Sequence, residues 1–239
     1  MKRILGTAGA LCLLPLATGC EVAGTDSGEL GNGAFSYVCA GDADAWCETP
    51  FRHGGRPLPA LEAPFSVTFR DTEIGAAEVI AAAPARIAFS RGRFACLVPG
   101  PAALLARDGR GVVRDFFHLQ GAPVAGLELV HVEPAQLGGV APKQQLDVDP
   151  WALEPVDAVA LAAGARAVLF GYPVGADGEV LTGSPDWRFT VEPAGVVALH
   201  VHAGDNVVEI EALAEGTATL RATAARAVRD LPIRVEVGP

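Results

Sequence analysis

Lysine is almost absent from this chain. Of its 18 basic residues only Lys2 and Lys143 are lysines, and the 28 acidic residues leave a net charge of −10. No run of arginine or lysine breaks that acidity, so the electrostatic footprint of a nucleic-acid binder is missing. Aromatic residues are sparse at 6% while hydrophobic residues make up 50% of the chain, so its apolar content rests on small aliphatic side chains. Arginine in place of lysine, with abundant alanine, glycine and valine, points to a GC-rich genome rather than to a basic function. Serine-nucleophile, zinc-protease, dinucleotide and phosphate-loop motifs are also lacking, which removes the enzyme classes that a short local signature announces. Beyond residue 20 no apolar stretch reaches about 18 residues, the length a membrane-crossing helix needs.

What is present begins at the N-terminus. Lys2 and Arg3 lead into an apolar stretch, residues 4–16, and then into Ala17-Thr18-Gly19-Cys20. A basic start, an apolar centre and small residues before a cleavage site make a secretory signal. The last four residues resemble a bacterial lipobox, with Ala17 where leucine is usual and Leu16 one place too early. That resemblance implies cleavage before Cys20, diacylation of the Cys20 sulfur and lipid anchorage in the cell envelope, with the outer membrane of a Gram-negative bacterium as the expected location. An ordinary cleaved signal is the alternative, since 13 apolar residues are too few to span a bilayer. Removing residues 1–19 takes away Lys2 and Arg3 but no acid, which leaves 16 basic and 28 acidic residues and a mature charge of −12. The lipid is then the expected membrane partner. Each buried methylene contributes about 0.8 kcal/mol, so a two- or three-chain anchor is effectively permanent.

The cysteines fit an exported, disulfide-permitting setting. Cys12 lies in the signal and Cys20 at the lipidation position, which leaves Cys39, Cys47 and Cys96. Cys39 and Cys47 flank a loop of mostly small residues that can turn back, and a bridge between them would stabilise by about 2.5 kcal/mol through loop closure. They are the expected disulfide, with Cys96 left as a free, buried thiol in a strand. A metal site built from Cys39, Cys47 and Asp42, Asp44 or His53 competes with this pairing, but paired metal cysteines are usually separated by two to four residues, not seven.

An internal repeat organises the rest. Residues 94–106 align with residues 210–222 so that Gly100 and Gly216, Leu104 and Leu220, and Ala106 and Ala222 fall in register. After one residue of slip, Val113-Arg114-Asp115 matches Val228-Arg229-Asp230, and upstream Ala60-Leu61-Glu62-Ala63 matches Ala160-Leu161-Ala162-Ala163. Two copies of one module account for this better than one large domain. Each copy reads as strands. Phe65-Ser66-Val67-Thr68-Phe69-Arg70 and Trp187-Arg188-Phe189-Thr190-Val191 alternate with period two, which directs their odd-numbered members to a core. Turn residues recur every eight to twelve positions, among them Pro99-Gly100, Asp108-Gly109, Asp177-Gly178 and Glu215-Gly216, as in a sandwich or barrel.

The second copy carries Leu161-Ala162-Ala163-Gly164, Trp187, Val196-Val197-Ala198-Leu199, Gly216-Thr217-Ala218-Thr219 and Ile233-Arg234-Val235-Glu236-Val237, in that order. In this it resembles the bacterial immunoglobulin-like domain of group two. The resemblance covers roughly residues 153–239 and, loosely and without the tryptophan, 58–121. It implies an all-β fold of two tandem immunoglobulin-like sandwiches, with Trp187 filling the gap between two sheets. The expected organisation is a signal peptide at 1–19, a flexible lipidated tether at 20–33, module one at 34–121 and module two at 122–239.

For chemistry, the best local candidate is His200-Val201-His202. Residues two apart on a strand face the same way, so both imidazoles can address one metal ion, with His118, His131 or Glu209 as the third ligand that zinc requires. The competing interpretation is a solvent-facing strand. Acidic loops around Asp42, Asp44, Asp147, Asp149 and Asp205 lack the spacing of a dedicated calcium loop and read as turns. No cofactor is expected. The functional expectation is a membrane-anchored, non-enzymatic binding or structural module whose partner is an envelope protein or glycan and not nucleic acid. A metal-dependent envelope hydrolase using His200 and His202 is the alternative.

Overall fold

The computed structural model describes residues 22–38, 44, 58–71, 75–132, 153–201, 206–237, and these are all-β, with no helix among them. Eight strands form the first half: β1 (Val22–Ser27), β2 (Gly33–Val38), β3 (Ser66–Asp71), β4 (Gly75–Ala81), β5 (Ile87–Ser90), β6 (Arg93–Cys96), β7 (Gly100–Arg107) and β8 (Val113–Gly121). Six of them make one sheet in the order β1-β2-β3-β4-β7-β8, every neighbouring pair antiparallel. β5 and β6 form a separate hairpin. The alternating apolar residues of β3 do face inward, with Val67 and Phe69 buried, as is Phe65 just before the strand. Phe35 on β2 and Phe117 on β8 stack at 5.5 Å although three strands lie between theirs in the sheet. The sheet therefore curls around its own core, which the hairpin completes with Ile87, Phe94 and Cys96.

The stretch expected as tether departs from that description. Residues 22–27 are β1, paired with β2, and the turn that follows is pinned to β8. There the fully buried Asp115 carboxylate accepts the Leu30 and Asn32 backbone N–H groups, each at 2.8 Å, and Glu29 N donates to Phe116 O at 2.9 Å. Small polar residues suit a coil in isolation, but here a distant carboxylate satisfies their amides and fixes them.

The second half is a two-layer sandwich built from β9 (Gly126–Val132), β10 (Val159–Ala162), β11 (Arg166–Val174), β12 (Arg188–Glu192), β13 (Val197–Val201), β14 (Val207–Ala212), β15 (Gly216–Ala224) and β16 (Ala227–Glu236). One sheet runs β10-β16-β15-β12 and the other β13-β14-β11-β9, with β10 parallel to β16 and the remaining pairs antiparallel. β15 alternates as its sequence dictates, Ala218, Leu220, Ala222 and Ala224 inward and Thr217, Thr219 and Arg221 outward. Their core partners across the gap are Leu129, Leu169, Val208 and Ile210.

Trp187, immediately before β12, is buried in this core and stacks on Phe189 at 5.8 Å. A Cβ on Gly171 would come within 2.7 Å of the indole, so the tryptophan requires glycine at that place on β11. β11 itself is buried along nearly its whole length. Ala167 and Leu169 face the sandwich, whereas Val168, Phe170, Tyr172 and Val174 join Val130, Val132 and Val207 in a second apolar layer closed by Leu153 and Val180. A strand covered on both sides reads as a continuous apolar run rather than an alternation, as residues 167–174 do.

Candidate functional site: the junction of the two modules

The histidines among the described residues do not converge. His200 lies exposed on β13, where its Nε2 hydrogen-bonds Glu211 Oε2 at 2.9 Å. Glu209, the residue opposite His200 in register, is instead held by Arg166, whose guanidinium reaches Glu209 at 2.8 Å and Glu211 at 3.3 Å. The hydrogen bond from His200, together with the positive charge of Arg166, keeps the Glu211 carboxyl below its ordinary range. His118 sits in the other module beside Glu29 at 3.3 Å, and His131 is on β9, with β11 and β14 between it and β13. Among the described residues no group of three histidine, cysteine or acidic side chains is placed to hold a metal ion. His202, His53, Asp42, Asp147, Asp149 and Asp205 lie outside the described residues, as do Cys20 and the expected disulfide partners Cys39 and Cys47. Cys96 ends β6 as a buried thiol without a bridge, and burial pushes its pKa up to about 11.

Polar groups that do converge lie where the modules meet. Residues 58–64 run between them as an extended segment. Toward module two, Ala60 N donates to Thr182 O, Thr182 N to Leu58 O, and Ser184 N to Pro64 O, at 2.8–2.9 Å. Toward module one, Glu62 N donates to Cys96 O at 2.8 Å, and Leu61 N donates at 2.9 Å to the carbonyl of Ala122, the residue after β8. Ala60, Ala63, Ala122 and Leu181 form a small buried cluster of their own at this seam. Small side chains are what let the backbones come so close. At Gly183, with φ of +101°, an added Cβ would fall 2.8 Å from the Ala63 Cβ.

Asp44 closes the seam. Its Oδ2 accepts the Tyr37 hydroxyl at 2.5 Å and its Oδ1 accepts Gly183 N at 3.1 Å, so one buried carboxylate ties β2 of module one to a loop of module two. Burial, and then the adjacent Asp44 charge, raise the Tyr37 pKa well above 10.0, which leaves the phenol a permanent donor. Outside, Arg226 bridges Glu62 at 2.7 Å. Both are largely exposed, so this pair contributes less than about 1 kcal/mol. The β15–β16 turn presents Arg226 by holding Ala225 and Arg226 at φ of 46° and 71°, the left-handed pair of a two-residue hairpin. Chemically the site orients and seals. Sequence reasoning placed Asp44 in a solvated loop, and nothing local marks it as buried.

No protein-family model matches the chain, and no curated protein is similar to it. Solved structures give likenesses of fold at low identity. The S-layer protein SbsC aligns with 74% of this chain at 13% identity and a TM-score of 0.35; the chain spans 23% of that structure. FdeC, an Escherichia coli adhesin, aligns with 77% of the chain and 62% of its own length at 9% identity and a TM-score of 0.34. A glycosyl hydrolase family 2 member from Bacteroides cellulosilyticus aligns with 72% of the chain and 23% of its own length at 10% identity and a TM-score of 0.31.

Proposed function

We propose that this chain is an exported, lipid-anchored envelope protein whose two β-modules act together as a non-enzymatic binding or structural unit. The observation that carries the proposal is the sealed junction. Segment 58–64 is hydrogen-bonded to both modules, and Asp44 bonds one residue of each, so the two halves present their loops and strand edges at a fixed relative orientation. A rigid two-module body suits display or spacing. The basic-apolar signal ending at Cys20 supports export and anchorage.

Cys20→Ser tests the anchor. It is expected to abolish acyl labelling and to move the protein from the detergent phase to the aqueous phase, and unchanged partition would overturn the anchor. Residues 21–239, used as bait on envelope extract, are expected to retain a protein or glycan. Stoichiometric zinc in the purified protein, lost in His200→Ala and His202→Ala, would replace this proposal with a hydrolase.

A further inference from the structure

The two sheets of module two end in four edge strands, β9, β10, β12 and β13, and these are not equally protected. A sheet edge presents N–H and C=O groups that another strand can pair with, unless charge, proline or a covering segment blunts it. β9 is covered, since Val156 N donates to Leu129 O at 2.8 Å and Pro155 bridges to Val130. β12 begins at Arg188, ends at Glu192 and runs straight into Pro193. β10 is only four residues long and ends in a turn, where Ala165 N donates to Ala162 O at 2.9 Å. β13 has none of these devices. Its residues, Val197-Ala198-Leu199-His200-Val201, include no proline, carboxylate, lysine or arginine, and the His200 ring is engaged by Glu211 at 2.9 Å. Among the described residues nothing pairs with its outer side.

Register identifies the backbone groups on that side. Gly171 N donates to Asn206 O and Ala212 N to Ala165 O, so the even-numbered residues of β14 bond to β11 and the odd-numbered ones to β13. Glu209 and Glu211 lie opposite His200 and Ala198, which therefore use their N–H and C=O groups toward β14. Val197, Leu199 and Val201 point theirs outward. These positions are symmetric about Leu199. Their side chains lie on the sandwich face, with Val197 buried, Leu199 packed against the core and Val201 36% exposed at the rim.

We infer that β13 is a dimerisation edge, whose partner is β13 of a second copy of this chain running antiparallel about a two-fold axis at Leu199. In that register Leu199 meets its own counterpart and Val197 meets Val201 of the other copy. Each such pair exchanges both backbone hydrogen bonds, so the outward groups of β13 are all satisfied at once, as an isologous contact requires. Rim-exposed Val201 gains an apolar neighbour, and on the outer face Ala198 meets His200 of the other copy, a small side chain against a large one. The identical strand brings neither charge nor proline to the contact. Two four-stranded sheets thereby become one of eight strands. The edge does not depend on the lipid anchor, so either proposal can fail without the other.

The test is sedimentation of the full-length protein, purified in detergent, over a dilution series, and the expected result is twice the mass of one chain, falling to one on dilution. Val201→Lys sets a charge beside Val197 of the other copy and is expected to weaken dimerisation about tenfold or more, with unchanged near-UV dichroism because the lysine reaches solvent in the single chain. Ala198→Cys with His200→Cys puts two thiols at a non-hydrogen-bonded pair whose Cα atoms lie about 4.5 Å apart, within reach of a disulfide. Oxidation is expected to link two chains, and peptide mapping to join position 198 of one to position 200 of the other. A chain that stays monomeric throughout the series overturns the inference, as does a dimer undiminished by Val201→Lys or cross-linked only in other registers. Amide protection of residues 197–201 that appears only when envelope extract is added to a monomer also overturns it, in favour of a strand from a different protein.

Discussion

The tripeptide Val-Arg-Asp occurs in both modules, at residues 113–115 and 228–230, and the two copies behave oppositely. In module one Asp115 is fully buried and accepts backbone N–H groups of the β1–β2 turn; in module two Asp230 is exposed and takes a two-point ion pair from Arg221 at 2.8 and 2.9 Å. Register explains the difference. Both valines pair with the residue after the aligned alanine of each copy, Ala106 or Ala222, as Arg107↔Val113 and Thr223↔Val228. Module one then carries a bulge between Ala106 and Arg107 that skips Arg114, so Asp115 comes opposite buried Ala106. Module two keeps regular pairing and sets Arg229 opposite Ala222. One extra residue exchanges the faces of a strand, and a solvated carboxylate becomes an internal clamp.

The largest expected effects come from the feature each module buries. Trp187→Ala should cost module two about 3–5 kcal/mol through the cavity left between the sheets. Asp115→Ala should cost module one on the order of 3 kcal/mol, because two loop amides lose their acceptor inside the fold. Asp230→Ala is the control and should cost less than about 0.5 kcal/mol. Urea unfolding followed by near-UV dichroism measures all three, and equal losses for Asp115→Ala and Asp230→Ala would refute the register explanation. Next in size is Gly183→Ala, which collides with Ala63 at the seam and should destabilise by about 2 kcal/mol. Its diagnostic outcome is calorimetric: one transition should split into two as the modules uncouple, and a single shifted transition would mean that the Gly183–Ala63 contact is not what couples them.

A smaller contrast lies in the two tyrosines, one per module. Tyr37 has its pKa raised well above 10.0 by burial and by Asp44, and Tyr172 is raised by partial burial and by Glu128. A folded-state pKa above the unfolded value means that the native chain holds its proton longer. This stability is complete below pH 10 and is lost as pH rises, at up to about 1.4 kcal/mol per pH unit for each group. Tyr37→Phe should remove the larger slope and leave that of Tyr172. Cys96, raised from 9.0 to about 11, adds a loss of the same sign between those values that Cys96→Ala removes. Smallest of all, His200→Ala should change stability by less than about 0.5 kcal/mol at neutral pH, since the pair it forms with Glu211 is exposed.

Much of module two was legible because period-two alternation is a local property. The inward residues of β15, the burial of Trp187 and the shared Gly-to-Ala frame of β7 and β15 follow from residues within one strand, and Leu104 and Leu220 are both fully buried as their alignment requires. β11 gave no alternation because it is covered on both faces. The seam at 58–64 was invisible for another reason: its partners are Thr182 and Ser184, more than a hundred residues away, and backbone hydrogen bonds leave no mark on side-chain pattern.

By itself the sequence determined that this chain is all-β and acidic, since composition and short-range periodicity depend on neighbours alone. Only the tertiary structure decided that residues 22–32 belong to the fold and that Asp44 and Asp115 are internal clamps. Those outcomes depend on strand register and on partners 83 and 139 residues distant. Such pairings are set by which backbone groups would otherwise be buried without a partner once the whole chain has packed.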